Sequence, residues 1–116
     1  MTSDPYSKEV RRLFKAPAHA GIANGPSARI DAQGVSVELS VEARNGQVEA
    51  ARFRAKGCPH LVAAAEAFCA DLEGQPVAAL ETQFGVDIMR RLSVPVEKTG
   101  RILVLEDTSA LLAGKL

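Results

Sequence analysis

Aromatic side chains and cysteine are both scarce in this sequence. Its 116 residues include no tryptophan, one tyrosine, four phenylalanines and two cysteines. Alanine and valine must therefore fill much of the core, which favours close approach of backbone elements over large side-chain pockets. Two cysteines in a chain without a secretory pattern are more typical of free thiols than of a disulfide.

Net charge and long apolar runs are absent as well. The 14 basic residues balance the 14 acidic ones, and no strongly basic block occurs, which argues against a nucleic-acid partner. No apolar run reaches the roughly 18 residues that a membrane span needs. The first residues, MTSDPYSKEV, lack the charged-then-apolar pattern of a secretory signal. We therefore expect a soluble cytoplasmic protein with no membrane or nucleic-acid partner.

The remaining composition is that of a folded globular protein. Hydrophobic residues make up 47% of the chain and charged residues 24%, a balance that argues against disorder. The length predicts one domain over residues 1–116, large enough to bury its own core.

The first half of the chain predicts a helix followed by a small sheet. PYSKEVRRLFK (5–15) has helical spacing, with Pro5 in its first turn and Asp4 as its cap. VSVELSVEA then alternates apolar and polar residues, as a strand with one buried face does. Asn45-Gly46 predicts a tight hairpin to QVEAARFRA, and SARIDA is a candidate third strand.

The second half changes to helical periodicity. PHLVAAAEAFCADLEG predicts a helix that ends near Gly74. Residues 76–92 predict one or two short helices around Gly85, and a last helix begins near Gly100, although ILVL alone fits a strand as well. Strands first and helices after predict an α+β fold, a three-stranded antiparallel sheet with helices packed on one face.

Cys58 lies where the strand pattern gives way to the helix pattern. Pro59 favours the first helical position, so Cys58 is the predicted N-cap. Helix N-termini stabilise anions, including thiolates, and His60 supplies a further nitrogen ligand or positive charge. An activated thiol, a soft metal ligand and a small buried hydrophobe all stay open on these residues alone.

The other candidate ligands have simpler interpretations. Cys69 lies eleven helical residues after Cys58, about 16 Å away at ~1.5 Å per residue, so the two cannot share a metal or form a disulfide. We predict that Cys69 belongs to the core. His19 is predicted to be a solvated loop side chain, and Asp31 a turn or edge carboxylate.

Four segments resemble the IscU/NifU-type scaffold proteins on which iron–sulfur clusters are assembled. PYSKEVRRLFKAPAHAG resembles the opening helix and loop of that family, and VEAARFRAKGCPHLVAAA resembles its ARF-x-x-x-GC element. LEGQPV and VPVEKTGRILVLEDTSALLA resemble later segments. The resemblance implies a SufE/IscU-like fold and a non-enzymatic cluster-assembly scaffold that handles iron or sulfur through Cys58. It also implies a cysteine desulfurase or chaperone partner.

The chain departs from that family at the ligand positions. Family scaffolds use three cysteines, helped by an Asp and often a His, and only the middle cysteine is present, as Cys58. The family's first cysteine belongs in the loop whose sequence in this chain is SARIDAQG, and its third cysteine belongs at Gly100 or Arg101.

These departures leave several interpretations open. Cys58 is the candidate cofactor-binding residue, and Cys58, His60 and Asp31 are the candidate metal ligands, for iron, a [2Fe–2S] cluster or zinc. A cluster shared between two subunits and a sulfur-accepting Cys58 stay open. So does an interaction module that keeps the fold without binding a cluster, and the oligomeric state is open too. A thiol enzyme using Cys58 and His60 is disfavoured, since no orienting carboxylate is identifiable.

Overall fold

The computed structural model describes residues 6–116. Seven elements follow one another along the chain: α1 (Lys8–Lys15), β1 (Ser27–Ala32), β2 (Val35–Arg44), β3 (Gln47–Lys56), α2 (Pro59–Leu72), α3 (Gly85–Leu92) and α4 (Thr99–Ala113). Short 3₁₀ turns cover Val77–Glu81 and Val96–Lys98. The predicted α+β fold is confirmed, with the three strands following α1 and preceding the other three helices.

The three strands form one antiparallel sheet in the order β1-β2-β3. Both connections are two-residue turns whose residues have positive φ. Asn45 and Gly46 have φ of 53° and 77°, as the sequence predicted, and Gln33 and Gly34 repeat this geometry with 53° and 73°. Positive φ at both positions matches the right-handed twist of the flanking strands, so each turn fixes the register of its hairpin.

The inner face of the sheet builds the core with α2 and α4. Val35, Val37, Leu39 and Val41 of β2 are all buried, which confirms the face predicted from their alternation. The helix α2 contributes three consecutive fully buried alanines, residues 63 to 65. Their small side chains allow the helix backbone to approach the core closely, as the scarcity of large residues predicted.

The start and end of α2 follow from local residues. Cys58 is the N-cap, with extended backbone (φ −90°, ψ 162°), and Pro59 opens the helix. The helix ends at Leu72, and Gly74 has a φ of 89°, a conformation that favours glycine. Both predicted boundaries are therefore confirmed.

The first helix begins later than its sequence predicted. Ser7 caps α1, because its side chain accepts a hydrogen bond from the Val10 N–H at 3.1 Å. Asp4 and Pro5, predicted as cap and first turn, lie outside the described residues. The ambiguous segment ILVL is helical within α4, where Ile102 and Leu105 are fully buried.

Within residues 6–116, none of the helices has the length and apolar character needed to cross a membrane.

Candidate functional site

Three chain segments meet around Cys58: the Gln33-Gly34 turn, the junction of β3 with α2, and the first residues of α4. Gly57 lies so close to β2 that a Cβ there would be 2.7 Å from Cγ1 of Val35. A Cβ at Gly100 would lie 3.3 Å from Oε1 of Gln33. We call Gln33, Cys58, Gly100 and Arg101 the Cys58 site.

The Cys58 thiol is half-buried, and its neighbours favour the thiolate. Burial acts to raise the pKa of Cys58. The hydrogen bonding and positive charge of the Arg101 guanidinium, together with the N–H groups of Leu61 and His60, outweigh burial and lower the pKa below its ordinary value. The sulfur makes no capping hydrogen bond of normal geometry. Its activation therefore depends mainly on Arg101 and on the field of the helix start.

His60 lies in the core, beside the start of α2. Its side chain is 1% exposed, and its ring packs against Tyr6 with 4.8 Å between ring centroids, tilted by 52°. A histidine enclosed in this way is a packing residue, and its assignment as a metal ligand stays a prediction.

Asp31 lies on the solvent face of β1. Its carboxylate pairs with Arg29, with 3.2 Å between Nε and Oδ1, and both side chains are about three-fifths exposed. Hydrogen bonding from Ser36 and then Arg29 lowers the pKa of Asp31. The carboxylate is thus satisfied by neighbours on its own sheet, and its role as a metal ligand also stays a prediction.

The donors around Cys58 do not fit a metal ion or an iron–sulfur cluster. In the described part of the chain, no three His, Cys, Asp or Glu side chains lie together as a metal-holding group. Structural zinc and [2Fe–2S] centres use four donors, mainly thiolates, whereas the Cys58 site places an arginine beside one thiol. The guanidinium cation also repels a metal cation.

His19 belongs to a partly buried ionic network, and its prediction as a solvated loop side chain is wrong. Its side chain is 16% exposed; Nδ1 lies 2.5 Å from Oε2 of Glu66, and Nε2 lies 2.9 Å from Oε1 of Glu73. Glu73 also accepts hydrogen bonds from the Ala51 N–H and from Arg52. These hydrogen bonds and ion pairs connect the loop before β1 to α2 and β3. The partners are distant in sequence, so local pattern gave no signal for it.

Cys69 is fully buried, as predicted. Burial, followed by the negative charges of Glu66 and Glu73, raises the pKa of this thiol far above its ordinary value. The two cysteines therefore differ sharply: Cys58 is accessible and activated, and Cys69 is neutral and enclosed.

Sequence reasoning missed Arg101 as the residue that acts on Cys58. The sequence held a signal, because the resemblance predicts the family's third cysteine at Gly100 or Arg101 and the first in the segment SARIDAQG, which contains Gln33. The structure brings both segments to Cys58. The site thus keeps the meeting of three segments while two of them carry other side chains.

Comparisons with known proteins agree with the fold. A model of the family described as NifU-like N terminal domain matches residues 5–111. A comparison with curated protein sequences finds no match.

Two solved structures share the fold. A NifU-like protein (N-terminal) from Brucella abortus is 13% identical with a TM-score of 0.72, covering 94% of this chain and 92% of its own. A candidate iron–sulfur cluster assembly scaffold protein for the SUF system from Fervidobacterium islandicum is 14% identical with a TM-score of 0.77, covering 94% and 96%. With the family model matching nearly its whole length, the chain belongs to the family of NifU-like N-terminal domains.

Proposed function

We propose that this protein serves iron–sulfur cluster assembly as a carrier of sulfur, held as a persulfide on Cys58. The observation that carries the proposal is the pairing of one half-buried thiol at a helix start with the Arg101 guanidinium, which favours the thiolate. The family supplies the process, and the residues of this chain favour sulfur over iron as the cargo.

The chemistry at Cys58 is a thiol exchange that needs no added oxidant. The Cys58 thiolate attacks the outer sulfur of a donor persulfide, R–S–SH. A new S–S bond forms to Cys58, the donor S–S bond breaks, and the donor leaves as the thiolate R–S⁻. Cys58 then carries –S–SH, ready to pass its outer sulfur to a further acceptor. Each cycle moves one sulfur atom stoichiometrically, so the protein acts as a carrier and not as an enzyme.

Arg101 has two effects in this proposal. It raises the thiolate fraction of Cys58 near neutral pH, which increases the rate of attack. It also disfavours cations at the position of a family cysteine, which separates this chain from a metal-holding scaffold. A cysteine desulfurase in the cytoplasm is the proposed sulfur donor, because it presents a persulfide of this kind.

Sulfur loading tests the proposal directly. The anaerobic protein is treated with inorganic polysulfide, and separately with a cysteine desulfurase and cysteine, and its intact mass is followed over time. Wild type is expected to gain the mass of one sulfur atom, Cys58→Ser none, and Cys69→Ala as much as wild type because Cys69 is enclosed.

Arg101→Gln tests the electrostatic part of the proposal. Loss of the guanidinium raises the pKa of Cys58, so loading at pH 7 is expected to slow by roughly three- to tenfold. The pH profile should shift upward and reach wild-type rates in alkaline solution. Arg44→Gln, which alters an exposed arginine paired with Glu49 at the far hairpin, is the control and should leave the profile unchanged.

Iron reconstitution separates the proposal from the scaffold alternatives. Incubation with iron and sulfide should leave no stoichiometric iron on wild type. If wild type binds iron and Cys58→Ser does not, the protein is a cluster scaffold and the sulfur-carrier proposal is wrong. If neither sulfur nor iron loads at Cys58, the interaction module is favoured, and the segment over residues 19–34 becomes the surface to test for binding to assembly proteins.

A further inference from the structure

We propose that two copies of this chain pair along the outer edge of β1, antiparallel and about a two-fold axis at Ile30. The two three-stranded sheets then become one six-stranded sheet. The proposal rests on backbone geometry and charge at the sheet edge and is independent of what Cys58 carries.

The two edges of the sheet differ in how they are covered. Along β3, the backbone of Phe53 bonds to His19 and Gly21 at 3.0 and 2.8 Å, and that of Val48 bonds to Gly74 and Gln75 at 2.8 Å each. Along the outer side of β1, residues 6–116 supply one hydrogen bond, from Nζ of Lys115 to the carbonyl of Ser27 at 2.8 Å. An open edge of this kind is a template for another strand.

The hydrogen-bond pattern identifies which backbone groups of β1 face outward. The Val41 N–H donates to the carbonyl of Pro26 at 3.1 Å, so position 26 faces β2. In an antiparallel ladder such positions alternate, and 28, 30 and 32 therefore also face β2. Positions 27, 29 and 31 face outward, in agreement with the bond from Lys115 to Ser27.

Only one register of two identical edges is complementary in charge. Hydrogen-bonded pairing uses outward residues of both copies, and the central pairs that set two charged residues opposite each other are Arg29 with Arg29, Asp31 with Asp31, and Arg29 with Asp31. The first two place like charges opposite each other, which is destabilising. The third pairs opposite charges twice by symmetry, with the axis at Ile30 and four backbone hydrogen bonds.

The side chains around this edge are available for the pairing. Those of Arg29 and Asp31 are 60% and 62% exposed. On the helix side, the amine of Lys115, two residues after the end of α4, reaches the β1 edge. The self-complementary charges favour a second copy over an unrelated partner.

This arrangement keeps the two Cys58 sites apart. Gln33 lies three residues from the axis, so at ~3.4 Å per residue the two Gln33-Gly34 turns are roughly 20 Å apart along the strands. The pair therefore presents two separate thiols rather than one shared ligand set.

Charge reversal and exchange test the interface. Molecular mass is measured by light scattering and sedimentation over a concentration series from micromolar to about millimolar, the range in which small interfaces associate. Wild type is expected to show a concentration-dependent dimer. Arg29→Asp and Asp31→Arg should each weaken it by about tenfold or more, and the double exchange should restore it.

Arg54→Asp is the matched control. Arg54 and Arg29 both lie opposite Glu38, so reversal at either position places a like charge opposite Glu38, but Arg54 is not on the β1 edge and should leave the dimer intact. Circular dichroism confirms folding of each variant. A wild-type monomer at every concentration, or a dimer that neither single reversal weakens, overturns the proposal, as does a double exchange that fails to restore pairing.

Discussion

At the scale of single residues, Cys58 and His19 are both controlled by charged neighbours that lie far away in sequence. Burial opposes the charged form of each side chain. For Cys58 the Arg101 guanidinium and the helix start outweigh that cost, and for His19 two carboxylates do so. Neither residue can be understood without the partners that folding brings to it.

The His19 network predicts a pH-dependent contribution to stability. Burial acts to lower the pKa of His19, but hydrogen bonds to Glu66 and Glu73 raise it above its ordinary value. The folded chain thus holds this proton more tightly than the unfolded chain, whose histidine pKa is about 6.5. The stabilisation is complete below about pH 6.5 and is lost as pH rises through the higher folded-state pKa.

Urea denaturation of wild type and His19→Gln at several pH values measures this contribution. The difference in free energy of unfolding should be largest near pH 5 to 6 and fall toward alkaline pH. The difference should fall again in acid, because the pKa of Glu73 is lowered in the folded state. The stability that Glu73 contributes is present above its ordinary pKa of 4.5 and is lost as pH drops through the folded-state pKa. In the Glu66→Gln background, the difference in free energy of unfolding should fall less toward alkaline pH. A difference between wild type and His19→Gln that is the same at every pH would exclude an ionic role for His19.

At the scale of elements, the Cys58 site exists because backbones approach closely. Gly57 joins β3 to α2 and lies against the first residue of β2, where its lack of a side chain leaves room for Val35 and Leu61. The approach places the Gln33-Gly34 turn, which precedes Val35, next to the start of α2. The spacing of two elements thus depends on one missing Cβ.

Gly57→Ala is expected to destabilise the fold by about 1 to 3 kcal/mol, the usual cost of overpacking. The added Cβ would lie 2.7 Å from Cγ1 of Val35 and 3.1 Å from Cδ2 of Leu61. Denaturant unfolding of Gly57→Ala, Val35→Ala and the double variant measures the coupling. The double variant should lose less than the two single losses combined, because the shortened residue 35 makes room, and strict additivity would contradict the clash.

At the scale of the whole molecule, three segments converge on one site. The resemblance to the family predicts its first cysteine in the segment that contains Gln33 and its third at Gly100 or Arg101. If the fold itself provides the geometry of a metal site, returning thiols to these positions should create one.

The double variant Gln33→Cys/Arg101→Cys should bind one zinc ion per chain, while wild type binds none in stoichiometric amount. Zinc held by three thiolates stabilises the folded state by an amount that grows with the logarithm of the zinc concentration over the dissociation constant, so the melting temperature should rise with added zinc. Arg101→Cys alone, with two thiols, should bind far more weakly. Zinc content after dialysis and thermal melts measure both effects, and a double variant without zinc would show that the segments lie too far apart.

Much of the fold followed from patterns within a few residues of each other. The alternation around Val37 predicted the buried face of β2, Asn45-Gly46 predicted its hairpin, and Pro59 predicted where α2 begins. The Gln33-Gly34 turn was not predicted, because glutamine is not a usual residue at positive φ. The network of His19 was missed since its partners are 47 and 54 residues away.

The sequence by itself therefore determined the strands, the helices and the placement of Cys58 as an N-cap, because periodicity, turn residues and proline act locally on the backbone. The tertiary structure alone decided the chemistry of the candidate ligands: the guanidinium beside Cys58, the pairing of Asp31 with Arg29, and the enclosure of His60 and Cys69. Charge and burial depend on contacts between distant segments, and those contacts form only when α2 and α4 pack on the sheet.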